Sequence, residues 1–211
     1  MSLRVGLVDS GIGGGAAAAV IAKNAAAQTP PALMHGTVLA NIIRAHCPTV
    51  ALLDARVFTN QLSCTAHDAA MAIGWLIEQK AQLINLSLGL RRDVPELRAA
   101  CERAIEQGAV LVASAPAQGD PVFPATYSGV ISATGDARCQ PGEISWLKSQ
   151  RAEFAGCVQS DEATVRGASV GCAAVSAALA VLMTESPSAS RDEWLSRLRN
   201  QARYVGPERR R

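Results

Sequence analysis

The sequence predicts an α/β protein: one compact domain built on a doubly wound, mainly parallel sheet with helices on both faces. Three observations predict it. Short apolar runs of strand length alternate with longer segments of helical periodicity along most of the chain. Apolar residues make up 49% of the sequence and aromatics only 4%, and a composition led by alanine, valine and leucine suits helices packed closely on a buried sheet. The 211 residues suffice for one domain with a sizeable core and are too few for two full ones.

Leu3–Val8 reads as a buried strand ending at Asp9, followed by a glycine-rich turn over Gly11–Gly15. Ala16–Ala27 is predicted helical and is broken at Pro30-Pro31. A helix over His35–Ala45, Pro48 and a strand over Val50–Leu53 come next. Between Thr65 and Lys80, Ala69, Ala72, Ile73, Leu76 and Ile77 recur at helical spacing. The strand Leu83–Leu88, the helix Val94–Gln107 with Gly108 as its C-terminal stop, and the strands Val110–Ser114 and Val130–Ala133 continue the alternation. Gln140–Arg151 reads as an exposed loop and Phe154–Val158 as a further strand. An apolar helix runs from Ser169 to Met183, and a last helix opens at Ser190 with Glu193 completing a capping box, offering Trp194, Leu195 and Leu198 to the body. There is no internal repeat or long linker. The domain is expected over 1–205, with 206–211 a basic, solvated tail.

A formal charge of +2 gives no electrostatic footprint for nucleic acid. The six cysteines form no CxxC pair, several lie in apolar context, and no segment has the build of a signal peptide. Ala173–Met183 is too short and alanine-rich for a membrane span and reads as a core helix. A reducing, cytoplasmic compartment and no membrane partner are the expectation.

Three segments carry chemistry: Val8-Asp9-Ser10-Gly11 at the end of a strand, His35-Gly36-Thr37 at the start of a helix, and Gly167-Ala168-Ser169 before an apolar helix. Serine is a weak nucleophile at neutral pH and needs a base within hydrogen-bond reach. The base needs a partner that fixes its tautomer and stabilises the imidazolium. A carboxylate ending a buried strand is held still, and a serine at a helix start has unpaired backbone N–H groups beside it. Singly, each residue has a plainer role: Asp9 capping a turn, His35 on the surface, Ser169 as an N-cap. In the order Asp…His…Ser, with parallel α/β units between, they predict peptide-bond hydrolysis by an activated serine.

From Leu3 to Met183 the chain resembles the subtilisin-like serine peptidases (subtilases) in these three motifs and in several secondary matches. The resemblance implies a subtilisin-like fold, with Ser169 as nucleophile, His35 as base and Asp9 orienting it. Ile84-Asn85-Leu86-Ser87-Leu88-Gly89 is similar to the strand whose Ser-Leu-Gly edge, here Ser87, Leu88 and Gly89, pairs with the substrate backbone. Ala113, Ser114 and Ala115 resemble the wall of the pocket for the residue before the cut. Phe123-Pro124-Ala125, Val130–Ala133 and Ala155–Val158 match further family segments.

The departures are as informative. Val38 replaces the second histidine of His-Gly-Thr-His, and Gly-Ala-Ser-Val-Gly replaces Gly-Thr-Ser-Met-Ala. Ser114-Ala115-Pro116-Ala117 aligns with the family's Ala-Ala-Gly-Asn, so both customary side-chain donors of the oxyanion hole are alanines. Losing one such donor costs about 10²–10³ in rate, a value known from a subtilisin. The backbone N–H of Ser169 and the amide of Gln118 are the expected oxyanion donors. The chain is short for the family, has no acidic loop suited to calcium, and is similar to compact cytoplasmic subtilases that remove leader peptides. That type implies a peptide or protein substrate bound as an added strand, with a modifying enzyme or substrate complex of the same maturation pathway as partner. A non-catalytic peptide binder with the same groove is the competing class.

Other readings are weaker. Gly11–Gly15 after a strand suggests a dinucleotide turn, but no acid follows at about 20 positions on, as ribose binding requires. Leu7–Gly14 also resembles the opening of glutamate racemases, although Cys64 and Cys172 lack that family's surroundings. Cys64 with His67, or His46 with Cys47, offers only two ligands, short of a zinc site. No cofactor or metal is expected.

Overall fold

The computed structural model describes residues 2–27 and 31–208. Nine strands and five α-helices follow one another along it: β1 (Arg4–Asp9), β2 (Val20–Lys23), α1 (His35–His46), β3 (Ala51–Arg56), α2 (Ala66–Glu78), β4 (Leu83–Leu86), α3 (Pro95–Glu106) and β5 (Val110–Ser114). Then come β6 (Val130–Gly135), β7 (Ile144–Trp146), β8 (Phe154–Gly156), α4 (Ala168–Glu185), α5 (Arg191–Gln201) and β9 (Tyr204–Val205). They make a single α/β domain around one sheet, ordered β2-β3-β1-β4-β5-β6-β8-β7-β9. All pairings are parallel except that of β7 with β8.

Because successive strand residues point to opposite faces, the sheet divides the core in two. Val5, Leu7, Leu52, Val110 and Val112 join α1 and α4 on one face. Val8, Leu53, Ala55, Leu111 and Ala113 join α2 and α3 on the other. The predicted capping box at Ser190 is present with both of its hydrogen bonds, and a second one, Thr65 with Asp68, opens α2. Gly108 follows α3 with φ +87°, a conformation that favours glycine. Leu195 and Leu198 are buried and Trp194 packs against them, as expected.

Two expectations are corrected. Ala16–Ala27 is not one helix: 3-10 turns over Gly14–Ala19 and Ala25–Ala27 flank β2, which pairs with β3 at the sheet edge. Backbone pairing with a neighbouring strand outweighs alanine's helix preference there. Gln140–Arg151 is not wholly an exposed loop, because Ile144 and Ser145 of β7 are buried in the sheet. At the far edge β9 extends the sheet, and Gly206 beyond it donates to the Trp146 carbonyl and accepts from Arg138. Pro30 and the arginines at 209–211 lie outside the described residues.

The helix α4 is apolar all round and long enough to match a membrane span, yet most of it is buried in the domain. It lies unusually close to the sheet. A Cβ on Gly171 would stand 2.0 Å from the Thr134 carbonyl oxygen, and one on Gly156 would stand 2.6 Å from Ala174 Cβ. The departure from the family's alanine at 171 thus has a steric reason. It allows the first turn of α4 to press on β6.

Candidate active site

Asp9 is the last residue of β1 and is 1% exposed. Its Oδ1 accepts the Ser10 N–H at 2.6 Å, and the pair of oxygens faces His35 Nδ1 at 2.8 and 2.9 Å. His35 is the first residue of α1. Two further hydrogen bonds stitch that helix start to the turn after β1: Gly36 N–H donates to Ser10 Oγ, and Gly13 N–H donates to Thr37 Oγ1, each at 2.9 Å. A Cβ on residue 36 would meet the Gly11 carbonyl oxygen at 2.6 Å and Asp9 Oδ1 at 3.0 Å. His-Gly-Thr is therefore a docking motif as much as a chemical one: glycine permits the approach and threonine closes it.

With Nδ1–H committed to Asp9, Nε2 is the basic nitrogen of the ring. The imidazole holds its proton more tightly than usual. Burial alone would lower its pKa, and the hydrogen bond to Asp9 together with the charge of Asp9 outweighs that.

Ser169 is the second residue of α4. Gly167 before it caps the helix at φ +90° and ψ −139°, a backbone state open to glycine. Ser169 and His35 border one cleft of about 300 Å³, whose walls include Leu62, Cys64 and the Ser87–Leu90 segment. No hydrogen bond joins the serine hydroxyl to the imidazole. Such bonds are often long in a substrate-free site and tighten when substrate binds.

The Ser87–Gly89 segment follows β4 and belongs to no regular element. Leu90 then pairs with Phe123 through both its N–H and its carbonyl, at 2.7 and 2.9 Å. Ser87, Leu88 and Gly89 line the cleft directly. The other expected pocket residues lie deeper: Ala113 and Ala115 belong to the core on the α2 side, and Ser114 is buried at the end of β5. Gln118 is exposed and, with Ala117, lines a separate cavity of about 570 Å³ bounded by Thr134, Asp136 and the 147–152 segment.

Two buried polar residues escaped the sequence reading. Asn85 donates to Ser87 Oγ at 2.8 Å and accepts from Ser176 Oγ at 2.9 Å and Cys172 Sγ at 3.3 Å. It thereby ties the cleft wall to the helix that carries Ser169. Asp54 on β3 accepts the Ile12 N–H at 2.9 Å, while its other oxygen is buried without a hydrogen bond. Burial raises its pKa; Ile12, Arg56 and Lys23 oppose the rise and Asp9 adds to it. The signal for both was a polar residue inside an apolar strand run, where burial demands a partner.

The two-ligand metal pairs dissolve. His67 is exposed and bonds Glu96 at 2.7 Å, and His46 bonds the Ile42 carbonyl of its own helix. Cys64 is a thiol pushed up to about 11 by burial, and Cys172 is fully buried and raised further. Neither is a thiolate base of the kind a racemase needs.

The same α/β fold recurs among known proteins that the chain resembles. The subtilase family profile matches residues 18–210. The chain belongs to the subtilase family, which sets the racemase reading aside. It is 30% identical over 115 residues to the major intracellular serine protease of Bacillus subtilis, covering 46% of this chain and 36% of that protein. It is 37% identical over 94 residues to the subtilisin-like protease het-Q2 of Podospora anserina, covering 40% of this chain and 26% of that one. The match thus spans between about a quarter and about a third of the length of these curated relatives. Among solved structures, the prenylagaramide maturation protease PagA superposes with TM-score 0.67 at 17% identity, over 88% of this chain and 76% of that one. The protease domain of PatA gives 0.68 at 19%, over 88% and 80%. These share the fold.

Proposed function

We propose that the chain is a serine endopeptidase in which Ser169 attacks the scissile carbonyl, His35 takes and returns the proton, and Asp9 orients and charges His35. The reading is carried by one observation: His35 is clamped by both oxygens of a buried carboxylate on the wall of the cleft that Ser169 borders. The substrate adds as a strand along Ser87–Gly89. The backbone N–H of Ser169, at a helix start, supports the oxyanion. Gln118 remains a candidate donor only if its loop moves from the neighbouring cavity. A Gln118→Ala variant with unchanged turnover removes it.

The substrate is a specific peptide or protein cut once during maturation. The similarity to PagA, a maturation protease by description, supports this. So does the resemblance to the subtilase that removes the leader peptide from the small cross-linked subunit of quinohemoprotein amine dehydrogenase. Six free cysteines, five of them buried, fit a reducing cytoplasm. The competing reading, a peptide binder that does not cut, rests on Ala117 and Ala168 standing where side-chain oxyanion donors are customary. A fluorophosphonate probe separates the two. Labelling of the wild type and not of Ser169→Ala is expected. No labelling, even with a candidate precursor present, overturns the peptidase.

A further inference from the structure

The peptide unit between Gly11 and Ile12 is gripped at both ends. Its N–H, on Ile12, donates to Asp54 Oδ2 at 2.9 Å. Its carbonyl, on Gly11, abuts the start of α1, where a Cβ on Gly36 would stand 2.6 Å from the oxygen. In a planar trans peptide the N–H and the carbonyl point in opposite directions, so fixing one aims the other. Asp54 lies opposite Leu7 in the parallel pairing of β3 with β1, and Leu7 precedes Asp9 by two residues on the same strand. Asp54 and Asp9 therefore project from one face of the sheet, the face that α1 covers. Gly11 sits at φ +98°, and a glycine offers little resistance of its own to a turn of the peptide plane. The turn's composition thus leaves the orientation of that plane to its hydrogen bond with β3.

We infer that Asp54 is a positioning residue of the peptidase: it fixes the 11–12 peptide plane, the carbonyl of that plane seats Gly36, and His35 is thereby held in line with Asp9. The inference rests on the peptidase reading above. His35 opens α1 immediately before Gly36, so a displacement of Gly36 reaches the imidazole through a single peptide bond. Other ties at this corner join the β1 turn to itself and to α1: Ser10 N–H to Asp9 Oδ1, Gly36 N–H to Ser10 Oγ, and Gly13 N–H to Thr37 Oγ1. They permit the turn and the helix start to move as one, whereas Asp54 pins the pair to β3. The Oδ1 of Asp54 is buried without a hydrogen bond, so the tie needs one acceptor oxygen and not the charge.

The test compares the wild type with Asp54→Ala, Asp54→Leu and Asp54→Asn by the rate of fluorophosphonate labelling and by the NMR signal of the His35 Nδ1–H, which its bond to Asp9 moves far downfield. Asp54→Ala and the near-isosteric Asp54→Leu, both without the acceptor, are expected to label more slowly by up to about 10²-fold, the effect of misplacing a reacting group by about 1 Å. Their Nδ1–H signal is expected to move or to exchange with water. Asp54→Asn, which keeps an acceptor for Ile12, is expected to restore most of the labelling rate and the signal. A lower Tm in Asp54→Ala or Asp54→Leu with the wild-type signal and labelling rate makes Asp54 merely structural and overturns the inference; so does Asp54→Asn behaving as Asp54→Ala. Should neither acceptor-free variant fold, exchange of the Ile12 amide in the wild type decides: slow exchange supports the tie and fast exchange overturns it. Failure of the peptidase reading looks different, as a wild type with an intact Nδ1–H signal that fluorophosphonate does not label, and it removes the catalytic role of Asp54 as well.

Discussion

The proton on His35 is worth following through pH. A base must be neutral to accept the serine proton, and Asp9 raises the imidazole above its ordinary value of 6.5. The acid limb of kcat/KM is therefore expected to turn at a midpoint above that value, and Asp9→Asn to shift the midpoint down and lower kcat steeply; pH–rate profiles of both proteins check it. The same shift has a stability consequence. The stabilisation from protonated His35 is fully present below the unfolded value and is lost as pH rises through the folded one. Asp54 is a carboxyl whose folded pKa is raised, so its ionised form costs stability above that pH. Asp54→Asn keeps an oxygen for the Ile12 N–H and drops the charge. Its Tm is expected to exceed the wild type's above that pH, with the difference closing in acid as Asp54 itself protonates. Equal Tm values across the range would show the carboxylate to be satisfied after all.

Among the elements, α4 has the least freedom. Gly171→Ala forces a methyl onto the Thr134 carbonyl, and overpacking of this kind costs roughly 1–3 kcal/mol. Because the shift begins two residues from Ser169, the rate of fluorophosphonate labelling is expected to fall along with Tm. Asn85→Ala strands Ser87, Cys172 and Ser176 without their shared partner, a loss of about 1–3 kcal/mol by the usual cost of an unmet buried group, read by urea unfolding. These elements also show what the sequence conveys. The long helices and the central strands were legible because burial on one or both faces imposes a period on their residues. The short edge pieces were not. In Val20–Lys23 the side chains alternate weakly, and Ile144–Trp146 and Tyr204–Val205 are too brief to carry any period. Their strand character comes from the neighbour they pair with, which no local window contains.

At the scale of the whole molecule, the two core layers leave little chemistry at the surface. Of six free thiols five are buried, and Cys64 is raised to about 11. Native protein is expected to yield at most one slow thiol to a disulfide reagent at neutral pH, and six after denaturation. Several fast native thiols would mean a looser core. The candidate site was legible in its chemical residues, Asp9, His35 and Ser169, since each sits in a short motif of fixed composition. Its supports were not, because Asn85 reaches across 91 positions to Ser176 and Asp54 across 42 to Ile12. Those separations also set how the machine comes apart. The acid–imidazole pair is assembled locally and braced by its own turn, whereas the hydroxyl is delivered by a rod leaning on the opposite half of the sheet. A substitution that loosens this rod from β6 is therefore expected to slow labelling of Ser169 while leaving the Asp9–His35 pair in place.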